Sequence, residues 1–485
     1  MSYLPITQKL EDEKYHDDDI KPIKTSSNTE LYRQIGRLFV NIICSLCCYR
    51  YMEFPLTYQA VLLMSHAYYF FESQSNLFPK YLFIKSFCNL FEIKVNPNKS
   101  NKVIAYLLES VPSNDKRCHH LDSIRGIASI VVVIYHIFTV AIVDQNYANY
   151  LSELHGLFYY MAHIGHASVE LFVVLSGFIL AKVYWTPKRS QDIWHLIGGR
   201  IGRFYPLHWF TACIYASVMF YKINLYEPEL QKYLSAPVFF KCLSLTHMWS
   251  YYNNVHGWFN YRFVCNAPAW SLSAEWALNL VMFLIIRYLP VYWGMLYFEC
   301  FAWFGYYVIR SNLYGGSYMF SLVYPFFTGI VVYMVFGKLK LKQRLLKIMM
   351  DIVCVYLILG INSFLLRDAN NEYKPLGVGS WPNYQMTSYG AYLIVALDNS
   401  YFVKTLFSLK PLTYLGTISF SVYLCHDAIL TLAELVVKEG CPKIDNMLAM
   451  IAFIMMIIGI SSAVHFKFEK PAKKYFDTVL LKMSK

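Results

Sequence analysis

Ten times between residues 124 and 466 the chain runs apolar for about 20 residues, the length that carries a helix across roughly 30 Å of hydrocarbon. The runs lie near 124–143, 164–184, 204–222, 270–288, 290–309, 317–336, 348–365, 385–403, 411–433 and 447–466. The eighth, short and polar at both ends, is the weakest. Lipid offers no partner to a bare backbone N–H or C=O, so such runs must close their hydrogen bonds within themselves. The expectation is an all-α integral membrane protein, a bundle of about ten core transmembrane helices. Composition agrees: 56% of residues are hydrophobic and 15% charged, against roughly 25% charged in ordinary soluble proteins.

Charge placement tests the count. Lys188, Arg189, Arg200 and Arg203 fall between runs two and three, and Lys338, Lys340, Lys342, Arg344 and Lys347 between six and seven. Lys404 and Lys410 separate eight from nine, and Lys467, Lys470, Lys473 and Lys474 follow ten. With ten spans, all four clusters share the side of the N-terminus. The positive-inside rule makes that side cytosolic, so both termini are expected in the cytosol. The net charge of +12 is then explained by loops facing an anionic leaflet, without nucleic acid.

Residues 1–29 are polar and acidic, unlike a cleavable signal peptide, and read as a disordered cytosolic tail. Residues 30–115 carry short apolar stretches interrupted by basic residues, which suit an N-terminal extension of interfacial helices and linker. Cys44, Cys47 and Cys48 in that extension are expected to be buried or lipid-attached, and a sequon at Asn98 falls on the cytosolic side. Residues 116–476 hold the transmembrane domain, and 477–485 form a basic C-terminal tail.

Several runs carry groups that lipid penalises. In "SIRGIASIVVVIYHIFTVAIV" Arg125 and His136 stand eleven residues apart. Eleven residues make three helical turns plus roughly 20°, so both share a face, roughly 16 Å apart along the axis. Arg125 therefore belongs at the cytosolic end and His136 near mid-membrane. The plainer account is that Arg125 snorkels and His136 bonds a neighbouring helix, but the pattern recurs. His163, His166 and Glu170 share one face of the second run, compatible with a metal but better suited to a hydrogen-bonded cluster at the outer mouth. Glu275 stands in the fourth run with Ser271 and Asn279 a turn to either side. Ser419, Tyr423 and His426 align in the ninth. "GGRIGRFYPLHW" sets Arg200 and Arg203 on one face of a short helix before the third run, a fork suited to phosphate oxygens.

Taken in order, these segments resemble the multipass membrane acyltransferases called acyltransferase family 3. "LDSIRGIASIVVVIYH", "VELFVVLSGFIL", "RIGRFYPLHW", "WSLSAEW", "SFSVYLCH" and "FEKP" follow that family's motifs over roughly residues 117–476. The N-terminal extension departs from it. The resemblance implies transfer of an acyl group, most often acetyl, from cytosolic acyl-CoA to a hydroxyl or amine of a lipid, sterol, carbohydrate or small-metabolite acceptor. It assigns Arg125, Arg200 and Arg203 to the donor's phosphates or pantetheine arm, and His136 to the acceptor's proton. Glu275 is the expected partner that orients His136. Glu170, His166, Ser271, Tyr423 and His426 are further polar candidates, and no metal is expected. The competing class is a transporter whose His, Arg and Glu line a proton or solute path, but the paired broken helices of two repeated halves are not seen.

Overall fold

The computed structural model describes residues 118–140, 142–148, 165–185, 193–233, 236–249, 265–289, 291–310, 318–337, 341, 343–364 and 384–483. The expected N-terminal tail and interfacial extension, the Cys44, Cys47 and Cys48 group, Asn98 and His163 lie outside these residues.

Each of the ten runs carries a helix. In chain order they are α1 (His119–Thr139), α2 (Gly165–Tyr184), α3 (Ile193–Tyr226), the short α4 (Ala236–Leu243), α5 (Ala269–Tyr288), α6 (Val291–Arg310), α7 (Val323–Phe336) and α8 (Arg344–Phe364). Then follow α9 (Tyr384–Asn399), the short α10 (Phe402–Phe407), α11 (Lys410–Lys438), α12 (Met447–Val464) and α13 (Lys470–Met483). Among the described residues there is no strand beyond one bridge between Val143 and Ile444. Among the described residues, six helices are long and apolar enough to cross a membrane: α1, α2, α5, the stretch ending in α7, α11 and the stretch beginning with α12. The chain is an all-α membrane protein.

The β-branched run Val131–Ile134 would weaken a helix in water, but inside a bundle of spans the helix is what satisfies its backbone. Pro411 at the first turn of α11 needs no partner for the N–H it lacks. Asn446 caps α12 by accepting from the Ala449 N–H at 2.9 Å.

Burial orders the layers. α7 is apolar on every side and buried except at Tyr333, the mark of a central helix. α12 is the opposite: Leu448, Ile451 and Met455 are exposed although equally apolar, which fits a lipid-facing helix. α1 packs on α2 and along α11, and α7 packs on α2, α6 and α9. The α1–α11 crossing is a backbone contact. A Cβ placed on Gly126 would stand 2.5 Å from the Gly416 nitrogen, and one on Gly416 closer still to the Asp122 carbonyl oxygen. Gly177 and Gly329 make the same kind of crossing between α2 and α7.

One expectation is corrected. Arg200 and Arg203 do not stand on a separate short helix; α3 runs unbroken from Ile193 to Tyr226 with Pro206 inside it. Gly202, whose carbonyl Pro206 cannot engage, packs instead against Phe476 of α13, so neighbouring helices hold the segment in line.

Candidate functional site

Five helices and a re-entering segment build the site. Asn266 donates to the Leu424 carbonyl at 2.6 Å, and the Ala267 N–H to Asp427 at 3.0 Å. The chain is therefore already inside the bundle, halfway along α11, when α5 begins. Ser273 ties the preceding turn down: its hydroxyl donates to the Leu245 carbonyl at 2.7 Å and accepts from the Met248 N–H at 3.3 Å. Leu245 takes the left-handed backbone region, φ 55°, a strained conformation for a branched residue that buried packing enforces. These bonds set the rotation of α5 and with it the direction of Glu275, two residues on.

Glu275 enters a cavity together with Arg125 of α1, Arg200 and Arg203 of α3, Ser176 of α2, Ser271 of α5, and Ser419 and Tyr423 of α11. Its polar groups are partly paired with one another. Ser176 donates to Glu275. The Ser271 and Tyr423 hydroxyls lie 2.7 Å apart. Arg125 leans towards Asp122 at 3.5 Å. The Arg200 guanidinium stands 6.0 Å from the Tyr184 ring centroid and 5.9 Å from that of Phe204, within cation–π range, and its buried Nε has no protein partner. Three permanent cations around one carboxylate make a cavity suited to an anionic, elongated ligand.

α13 brings a further cation to this end. The Lys473 ammonium stands near the positive charge of Arg203 and the carboxylates of Asp477 and Glu469. Glu469 itself is anchored: it accepts from Ser421 at 2.6 Å and meets His465 Nδ1 at 2.8 Å. That bond is what the "FEKP" segment does structurally. It fastens the turn before α13 to α11.

Deeper along α1 and α11 lies a pair of imidazoles. The His136 ring meets the His426 ring edge to face, centroids 5.0 Å apart and planes at 70°. His426 is fully buried, its Nδ1 is 3.1 Å from the Val422 carbonyl, and its ring centroid lies 6.1 Å from that of Tyr423. Tyr423 thus links the cationic cavity to the imidazole pair.

The structure brings together six of the expected residues, Arg125, Arg200, Arg203, Glu275, Ser271 and Tyr423, around one cavity. His136 and His426 form the adjoining pair. Glu275 is grouped with Ser176 and the arginines, whereas the ring against His136 is that of His426. Glu170 lies elsewhere, buried and accepting from Thr387 at 3.4 Å. The His166 side chain is not among those described. Ser176 has no charge to betray it in the sequence, only its place in "VVLSGF". A disulfide between Cys242 and Cys265 also escapes sequence reasoning; it closes the segment before α5, with buried His247 beside it. The available signal was that both cysteines fall in the one connection between the third and fourth apolar runs. Cys242, His247 and Cys265 bring ligand-type atoms within 4.8 Å of one another, but both sulfurs are committed to the disulfide.

A family model described as an acyltransferase domain matches residues 119–466, from the first residue of α1 to just past α12. No curated protein and no solved structure matches the chain.

Proposed function

The chain belongs to acyltransferase family 3, and on that premise we propose that it moves an acyl group, acetyl foremost, from cytosolic acyl-CoA to a hydroxyl or amine of a membrane-associated acceptor. Ten spans with both termini in the cytosol complete this reading. The observation that carries it is the convergence of Arg125, Arg200 and Arg203 with Glu275, Ser271 and Tyr423 around one cavity among the spans. A CoA thioester is an anionic nucleotide on a long neutral arm. Arginines at the cytosolic end hold the phosphates, and the arm reaches inward towards the imidazoles. The Cys242–Cys265 disulfide supports a non-cytosolic place for the connection between α3 and α5, as ten spans require.

The chemistry then runs as follows. His136, in its neutral form, takes the proton as the acceptor's O–H or N–H breaks and the new bond to the thioester carbonyl forms. The tetrahedral oxyanion collapses, the C–S bond breaks with its electron pair on sulfur, and the proton passes to the CoA thiolate. Ser271 and Tyr423, already bonded to each other at 2.7 Å, are hydroxyl donors for the developing oxyanion. Glu275 balances the three arginines. Lipids, sterols, carbohydrates and small metabolites all fit as acceptors.

The test supplies radiolabelled acetyl-CoA to membranes bearing wild-type or His136→Ala protein and follows label into lipid and polar fractions. Label in one fraction, lost with the substitution, is the expected result and names the acceptor class. Label unaffected by the substitution would remove His136 from the chemistry. No label from any of a range of acyl donors would favour the transporter class instead.

A further inference from the structure

We propose that His426 is the positioning residue of His136, holding and stabilising the imidazolium that forms during transfer, the role a carboxylate plays in a catalytic triad. The inference rests on the acyl-transfer reading above and goes beyond it by naming the group that acts on the base.

Three observations converge. First, the Val422 carbonyl can only accept, so the Nδ1 that faces it at 3.1 Å carries the hydrogen. The neutral ring is thereby fixed in one tautomer, with the lone pair on Nε2. Second, that Nε2 is buried and has no hydrogen-bond partner, in a side chain that is fully enclosed. A buried acceptor left without a donor is costly and is satisfied in nearly all native proteins. Here the donor can arrive with the reaction. Third, the ring beside it is His136, edge to face at 5.0 Å. When His136 takes the acceptor's proton, both of its nitrogens become donors, and the Nε2 lone pair of His426 is the neighbouring acceptor for an N–H···N bond. No bond to carbon is made or broken in this step. The proton stays on His136, is shared towards His426, and returns for delivery to the thiolate.

Glu275 does not compete for this role in the structure: it accepts from Ser176 and lines the cavity with the arginines. The backbone carbonyl of Val422, one helical turn back on α11, does for His426 what a side-chain orienter would do elsewhere. Helix geometry alone supplies it, because i and i+4 lie on one face.

The test compares wild type, His426→Asn and His426→Gln as full-length protein, using radiolabelled acetyl-CoA and the membrane's own acceptors. The Asn amide can still donate to the Val422 carbonyl but presents nothing at the position of Nε2. The longer Gln amide can present a carbonyl oxygen there. Expected for His426→Asn is transfer at saturating acetyl-CoA reduced about 100-fold, with KM for acetyl-CoA and melting temperature unchanged. His426→Gln should recover at least about tenfold over Asn. Transfer by His426→Asn within about threefold of wild type would overturn the proposal. So would loss of transfer in both variants that tracks a fall in melting temperature, since His426 would then only hold the helix. Absence of transfer by wild type itself is a different result, and would fell the acyl-transfer reading on which the inference stands.

Discussion

Gly416→Ala is the smallest change that should disturb both the fold and the site. Gly416 of α11 crosses Gly126 of α1 with backbone against backbone. A Cβ on Gly126 would lie 2.5 Å from the Gly416 nitrogen, and one on Gly416 would press the Asp122 carbonyl, whereas ordinary contact begins at 3.4 Å. Neither neighbour is the end of a flexible side chain, so the helices must part by about 1 Å. Overpacking of this kind costs about 1–3 kcal/mol. The crossing also lies beside Arg125 on α1 and Ser419 on α11, both of which line the cavity. A misplacement of about 1 Å in a catalytic array can cost about 100-fold in rate. Gly459→Ala on α12 is the control, because a Cβ there meets nothing within 4 Å. Thermal unfolding followed by detergent size exclusion, with label transfer from acetyl-CoA, should show Gly416→Ala less stable and roughly 100-fold slower, with Gly459→Ala equal to wild type or slightly more stable. A Gly416→Ala protein with wild-type melting and transfer would refute the backbone-contact crossing.

Three further predictions concern α3, α11 and the segment between α3 and α5. Lys222 is nearly enclosed and meets Glu434 at 2.8 Å, with Glu227 at 3.8 Å. Glu434→Gln should destabilise by about 1–3 kcal/mol, because the buried ammonium loses its main partner. The pair Lys222→Met with Glu434→Leu should recover most of that in the same melting assay, and no recovery would count against a desolvation penalty. Replacing Cys242 and Cys265 by Ser opens a loop with a sequence separation of 23 and should cost about 3 kcal/mol; unchanged melting in oxidised membranes would argue that the bond does not constrain the segment. Burial first, and His208 second, hold the His247 imidazole down to about 3. The folded protein keeps it neutral while the unfolded chain takes up a proton near 6.5. Its contribution is therefore whole above about pH 6.5 and is lost as pH falls towards 3, by up to about 1.4 kcal/mol per unit. The melting temperature should fall between pH 6.5 and 4 more steeply in wild type than in His247→Gln, and equal slopes would refute the assignment.

Much of the site was legible because its residues violate their surroundings. Arg125, His136, Glu275 and His426 are each anomalous in an apolar run, and a period of 3.6 residues aligns Ser419, Tyr423 and His426 on one face whatever α11 packs against. Ser176 was not legible, since a lone serine in a span breaks no rule. The break expected before the third span was misread for a related reason. Glycines and a proline loosen an isolated helix, but α13 packs on Gly202 and keeps α3 continuous.

By itself the sequence determined which segments are helices, that they belong in a membrane, and which polar side chains share a face of each. These are local matters, decided by hydrocarbon thickness, backbone hydrogen bonding and helical periodicity. Only the tertiary structure decided which faces meet. Lateral contact between helices depends on where backbones can approach, at Gly126 and Gly416 or Gly177 and Gly329, and on how a re-entering turn pinned by Ser273 rotates α5. Those contacts send Glu275 to Ser176 and the arginines, and set His426 against His136. No periodicity within a single helix carries that information, because the partner of a buried polar group is chosen by packing between elements far apart in the chain.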